Sequence, residues 1–180
     1  EMCIRDSKWT LKKDQETYFF DAVGRLKAIE DAHKNRMDIH YTNGRITSVT
    51  DGAGRVFTFT YGEEDGFLKT ITAPDGTAIT YSYTNSYLTA ICYPNGRKAT
   101  IDYQGSKPSA LVVLDKNINP VYKVNYTFTG NRVSKVSEFG AEDGVFVPGV
   151  STSYDYSVAA KRTVVETREP LDGELGETAD

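Results

Sequence analysis

The chain has 180 residues, 26% charged and 12% aromatic, which suits one domain or one segment of a repeat array and is too apolar for a disordered chain. Its net charge of -4 comes without a Lys/Arg cluster, so the electrostatic footprint of a nucleic-acid binder is absent. No stretch approaches the ~20 consecutive apolar residues of a membrane-spanning helix, so no membrane span is expected in this segment.

The opening Glu1-Met2-Cys3-Ile4-Arg5-Asp6-Ser7 resembles the translation of one frame of a transposon-end sequencing adapter, so residues 1–7 are expected to be foreign to the fold. Cys3 falls in that stretch, and with Cys92 it offers neither metal spacing nor a disulfide framework. From Lys8 to Phe20 the pattern predicts a first hairpin. Trp9 and Leu11 would face Tyr18 and Phe20 across a polar turn at Lys12-Lys13-Asp14-Gln15-Glu16.

A series of aromatic strand ends follows: Phe20, Tyr41, Tyr61, Tyr83, Tyr103 and Tyr126, spaced by 20 to 23 residues. A period in this range marks a chain built by repetition. Before each tyrosine runs an alternating segment, such as Phe57-Thr58-Phe59-Thr60-Tyr61 or Ile79-Thr80-Tyr81-Ser82-Tyr83. Period two is the signature of a strand with one face buried, and the intervening threonines favour a pleated surface. A second motif, Leu-x-x-Ile, recurs between them at Leu26, Ile46, Leu68, Leu88, Leu111 and Val133. Apolar residues three apart would face opposite sides of a flat strand, which a bulge or burial on both faces would reconcile.

The connections carry turn chemistry. Asp51-Gly52-Ala53-Gly54, Pro74-Asp75-Gly76, Pro94-Asn95-Gly96 and Asp115-Lys116-Asn117 follow the Leu-x-x-Ile strands. Asp21-Ala22-Val23-Gly24-Arg25, Thr42-Asn43-Gly44-Arg45 and Gly62-Glu63-Glu64-Asp65-Gly66 follow the aromatic ones. Asp-Gly and Asn-Gly suit turns that require positive φ. Two strands and two turns fill one period and leave no room for a helix, so 8–136 is expected to be an all-β array of serial antiparallel hairpins. Residues 137–152, rich in Gly, Pro and acids, are expected to form an insertion loop. A further strand pair is expected over 153–166, and an acidic, frayed tail over 167–180.

The run Tyr41-Thr42-Asn43-Gly44-Arg45-Ile46-Thr47-Ser48-Val49-Thr50-Asp51-Gly52-Ala53-Gly54-Arg55 resembles the YD repeat of Rhs proteins, shared with teneurins and insecticidal toxin-complex subunits. The resemblance covers roughly Trp9 to Glu166, although the Tyr-Asp pair itself has drifted in most copies; Phe20-Asp21 and Tyr154-Asp155 come closest. It implies an open, curved sheet forming part of a β-shell, with Phe20, Gly24, Arg25, Tyr41, Gly44, Arg45, Asp51, Gly54, Arg55, Tyr61, Gly66, Asp75, Gly76, Tyr83, Asn95, Gly96, Arg97, Tyr103 and Tyr126 as structural motif positions. The family's self-cleaving C-terminal core has no match here, so that activity is not carried over.

Groups that could bear chemistry each have a plainer reading. Asp51-Gly52-Ala53-Gly54 precedes a strand, whereas a phosphate loop needs a following helix. His33 and His40 fit no common zinc spacing. Glu63, Glu64 and Asp65 lack the alternation of a Ca²⁺ loop and read as a solvated turn. Arg25, Arg45, Arg55, Arg97 and Arg132 could form a ladder for acidic glycans, with Arg45 and Arg97 the glycan-binding candidates; cross-strand hydrogen bonding is the favoured reading. The tyrosine stripe is expected to pack as a buried row before it binds anything.

No catalytic residue, metal or cofactor is expected. The expected role is a non-enzymatic structural segment of a secreted or cell-wall-associated bacterial Rhs/YD-repeat protein, building part of a shell that encapsulates or displays a C-terminal toxin. Its partners would be the neighbouring repeats and the enclosed domain, with no nucleic acid. The alternative is a carbohydrate-binding or adhesive module at the cell surface.

Overall fold

A computed structural model describes residues 9–157 and 162–170; the adapter-like stretch 1–7 and residues 171–180 of the acidic tail lie outside the described residues. Among the described residues every regular element is a strand: β1 (Trp9–Lys13), β2 (Glu16–Phe20), β3 (Leu26–Glu30), β4 (Arg36–Thr42), β5 (Arg45–Thr50), β6 (Val56–Tyr61), β7 (Leu68–Thr72), β8 (Ala78–Thr84), β9 (Tyr87–Cys92), β10 (Lys98–Gln104), β11 (Lys107–Leu114), β12 (Pro120–Thr129), β13 (Arg132–Glu142), β14 (Val145–Ser157) and β15 (Arg162–Arg168). They form one open antiparallel sheet whose order is the chain order, β1 to β15. By compactness the chain divides into two units, residues 1–80 and 81–180.

In the first unit the alternation works as the sequence predicts. Met37, Ile39 and Tyr41 share one face with their partners Ile29, Val49 and Ile46, while Thr58, Thr60, Thr70, Thr72 and Thr80 meet one another on the opposite face. In the second unit Ala99, Ile101 and Tyr103 stand beside Val113, Leu111 and Pro108. Trp9 pairs with Phe20 and Leu11 with Tyr18, the first hairpin in the expected register.

Of the two explanations for Leu-x-x-Ile, the structure takes the bulge. Tyr41 faces Ile46 but His40 faces Ser48, so Thr47 is the extra residue on β5. The same slip leaves Lys27, Lys69, Ser109 and Ser134 unopposed. One inserted residue turns a three-residue spacing into a same-face pair, so Leu26 and Ile29 both reach the apolar face.

Two expectations for the chain beyond residue 136 are corrected. Residues 137–152 are not an insertion loop: β13 and β14 pair through Glu142↔Val145, Ala141↔Phe146, Gly140↔Val147 and Phe139↔Pro148 around a two-residue turn at Asp143-Gly144. Of the Gly and Pro that read as loop formers, Pro148 and Gly149 lie beside an irregularity in register between Ser137 and Phe139, where a ladder tolerates them, Gly140 pairs with Val147 and Gly144 makes the turn. The following strand also reaches Arg168, past the expected boundary at 166.

The tyrosine row is also not buried. Tyr41, Tyr61, Tyr83, Tyr103 and Tyr126 are half-buried, and the buried side chains of the described residues are Phe19, Ala28, Ala99, Ala110 and Val124. A single sheet layer, with no second layer packed on it among the described residues, leaves part of each ring open to solvent.

Candidate functional site

The polar residues singled out by the repeat converge on two devices, a turn and a seam. The turn spans five residues and occurs at 21–25, 31–35, 51–55, 73–77, 93–97 and 115–119. In each, the first N–H donates to the fifth carbonyl and the fourth N–H donates to the first carbonyl. The fourth residue takes positive φ, which glycine supplies at Gly24, Gly54, Gly76 and Gly96. Where the first residue is Asp, its carboxylate holds the loop from inside. Asp51 Oδ1 accepts from the N–H groups of Ala53 and Arg55, and Oδ2 accepts from Arg55 Nε at 2.7 Å. Asp21 does the same with Val23 and Arg25. Asp31 and Asp115 substitute an asparagine, Asn35 or Asn119, for the arginine.

These bonds hold the carboxyls below their ordinary range. The leading cause is the backbone N–H of Arg25, Arg55 and Asn119 for Asp21, Asp51 and Asp115, and the side-chain amide of Asn35 for Asp31. Asp75 is lowered first by the Thr77 hydroxyl, and Asp65 first by the Lys69 ammonium at 2.6 Å. Asp65 thus ties its own turn, as the solvated-turn reading of Glu63, Glu64 and Asp65 expects.

The seam joins one hairpin to the next. The β3–β4, β5–β6 and β9–β10 ladders are three pairs long, after which the strands part. A tyrosine hydroxyl bridges the gap: Tyr41 donates to the Leu26 carbonyl at 2.8 Å, Tyr61 to Ile46 at 2.8 Å, and Tyr103 to Leu88 at 3.0 Å, each across 15 residues of sequence. Tyr156 makes the same bond to Val133 across 23 residues, because β13 and β14 are longer. A carbonyl that the ladder has abandoned is thereby paired. The guanidinium of the preceding Gly-Arg then covers the ring: Arg25 lies 4.8 Å from the Tyr41 centroid and Arg45 5.4 Å from that of Tyr61. Arg132 covers Tyr156 at 5.1 Å, although no glycine directly precedes it. At the fifth aromatic position Tyr87 replaces the arginine and packs on Tyr103 at 4.8 Å.

This arrangement relocates one motif residue. Tyr126 pairs with Val136, inside the ladder, while Phe128 faces Val133 at the bulge, the register that Tyr41 and Tyr61 occupy. Phe128 is therefore the true member of the series. It lacks a hydroxyl, and Lys107, which lies over its ring, donates to the Gly130 carbonyl instead. Sequence reading could not separate the two, since 126 and 128 have the same parity. The arginine caps were also missed, though the constant offset from Arg25-Leu26 to Tyr41 and from Arg45-Ile46 to Tyr61 carried the signal.

The two glycan candidates part company here. Arg45 is engaged: it covers Tyr61, and its guanidinium fills the space a Cβ at Gly66 would need. Arg97 belongs to the turn at 93–97, where Tyr93 stands in place of the aspartate, and its guanidinium has no hydrogen-bond or ion-pair partner among the described residues. His33 sits exposed in the turn at 31–35 and His40 exposed on β4. Among the described residues no three His, Cys, Asp or Glu side chains gather as a metal set would require.

No family model and no curated protein matches the chain. Among solved structures the chain is similar to the crystal structure of TcdB2-TccC3-Cdc42, at 14% identity and a TM-score of 0.48, covering 86% of this chain and 10% of that one. It is similar to TcdB2-TccC3-TEV at 16% identity and a TM-score of 0.49, covering 85% and 10%. A porin-like protein from Bacteroides uniformis aligns at 14% identity and a TM-score of 0.40, covering 81% and 58%. The chain spans about a tenth of the length of the TcdB2-TccC3 chains it matches.

Proposed function

We propose that this chain is a non-enzymatic structural segment of a secreted or wall-associated Rhs-like protein, one stretch of a β-shell that encloses or displays a C-terminal effector. The observation that carries the proposal is the seam. At four seams one hairpin offers the next an unpaired carbonyl, in the commonest form beside an arginine, and the next hairpin answers with a tyrosine hydroxyl. A chain built this way extends hairpin by hairpin with the same joint, which suits a wall better than a catalytic cleft. Its perturbed carboxylates, Asp21, Asp31, Asp51, Asp65, Asp75 and Asp115, are spent on turns. Limited proteolysis of the parent chain tests the enclosure. A domain C-terminal to the repeats should resist cleavage far longer than the same domain expressed alone; equal rates would remove the shell from the proposal.

A second reading, a glycan-binding surface, is favoured by one observation only. The turn at 93–97 exposes an aromatic ring at its first position and an unclaimed guanidinium at its fifth.

A further inference from the structure

We propose that the turn at 93–97 binds a single carboxylated sugar of an acidic glycan; this rests on the glycan-binding reading and is independent of the structural one. The site arises from one substitution in a repeated device. At 21–25 and 51–55 the first-position aspartate ties down the fifth-position arginine through its Nε. At 93–97 the first position is Tyr93, and the turn is held by Asn95 instead, whose Oδ1 accepts from the Arg97 N–H at 3.1 Å. The backbone loop is unchanged, with Tyr93 N–H donating to the Arg97 carbonyl and Gly96 N–H to the Tyr93 carbonyl. The substitution therefore releases a guanidinium and adds an aromatic ring without altering the fold around them.

A cavity of about 240 Å³ opens there, lined by Tyr93, Asn95, Arg97, Ala99 and Val113. Its floor exists because Ala99 occupies the row where the earlier strands carry Met37, Phe57 and Ile79. The volume lies below the ~300–1,000 Å³ of drug-sized sites, which suits one sugar ring rather than a chain. Its aromatic and polar lining groups each have a role toward such a ligand. Tyr93, 39% exposed, offers a flat face to the C–H side of a pyranose. The Arg97 fork matches a carboxylate with two parallel N–H bonds. Asn95, its Oδ1 engaged, keeps its Nδ2 to donate to a ring hydroxyl.

The surrounding charge agrees. Among the described residues no carboxylate lines the cavity. Lys116 lies against Gly96 through its Cα and Cβ, and the nearby Asp115 turns its oxygens inward to Asn117 and Asn119.

Titration calorimetry at low salt with trigalacturonate, and with galactotriose as its neutral counterpart, tests the site. Saturable binding of the acid trimer is expected, at least tenfold tighter than the neutral one. Arg97→Gln should weaken it at least tenfold. Tyr93→Asp should do the same while keeping or raising the thermal midpoint, because the aspartate re-ties Arg97 as Asp51 ties Arg55. Arg55→Gln, which removes one charge elsewhere, should leave affinity unchanged. Binding that survives Tyr93→Asp in a folded protein would overturn the site while leaving the glycan-binding reading intact. Equal affinity for both trimers would overturn the carboxylate, and no binding of either would overturn site and reading together.

Discussion

Ile118 is the residue most at odds with its position. It occupies the fourth place of the turn at 115–119 with φ 69°, where four of the other five turns use glycine at φ between 77° and 85°. Left-handed backbone costs an L-residue about 1–2 kcal/mol, and a β-branched one sits there worst. Ile118 is 75% exposed, so its side chain contributes little packing in return. Glycine would relieve the strain and lose roughly 0.5–1 kcal/mol to unfolded-chain entropy. Ile118→Gly should thus stabilise the protein by about 0.5–1 kcal/mol, read as a higher urea midpoint with an unchanged slope. A lower midpoint would mean the turn is not strained. Gly76→Ala, at φ 83°, should shift the midpoint the opposite way. At this scale the sequence was largely legible, because Asp, Asn and Gly announce turns locally. What hid Ile118 and Lys34 is that a turn's backbone tolerates an unsuitable residue once the aspartate at its start holds the loop.

Between strands, stability depends on a bond the backbone does not make. The ladder from β5 to β6 is three pairs long, and beyond it the Ile46 carbonyl relies on the Tyr61 hydroxyl. Tyr61→Phe keeps the ring under Arg45 and deletes only that bond, so it should cost about 1 kcal/mol. Tyr61→Ala removes a half-buried ring as well. The ~3–5 kcal/mol of a fully buried aromatic is an upper bound there, and about 2–4 kcal/mol is expected. Chemical denaturation of both variants checks the order. If Phe and Ala cost the same, the hydroxyl and not the ring carries the seam. Here sequence reading reached half the answer. Alternation predicted the strands, and the Leu-x-x-Ile spacing demanded a bulge or two buried faces. Choosing between them needed the register, in which Thr47 and Lys69 stand unopposed. The arginine–tyrosine contact was obscured because Tyr87 occupies its place at one seam and Lys107 with Phe128 at another.

Across the whole chain, the same turn chemistry makes stability depend on acid. Asp21, Asp31, Asp51, Asp65, Asp75 and Asp115 all have lowered carboxyl pKa values in the folded protein, for local hydrogen-bonding reasons repeated along the chain. A group whose folded pKa is depressed contributes stability that is fully present above its unfolded pKa, about 3.9 for aspartate. That contribution fades as pH falls through the folded value, because the unfolded chain then binds the proton first. The urea midpoint should therefore be level with respect to these groups above about pH 5 and fall progressively below about pH 4. The ion pairs lie at the surface with their carboxylates partly covered, so salt should reduce the share due to Arg25, Arg55 and Lys69, and leave the share due to backbone N–H groups. Asn at positions 51 and 115 keeps an acceptor oxygen but cannot titrate, so Asp51→Asn with Asp115→Asn should flatten the acid limb while lowering the midpoint at pH 7. An acid limb as steep as the parent's would assign the loss to other carboxylates. A flat limb in the parent itself would mean that the turns persist in the unfolded chain, holding the same protons in both states.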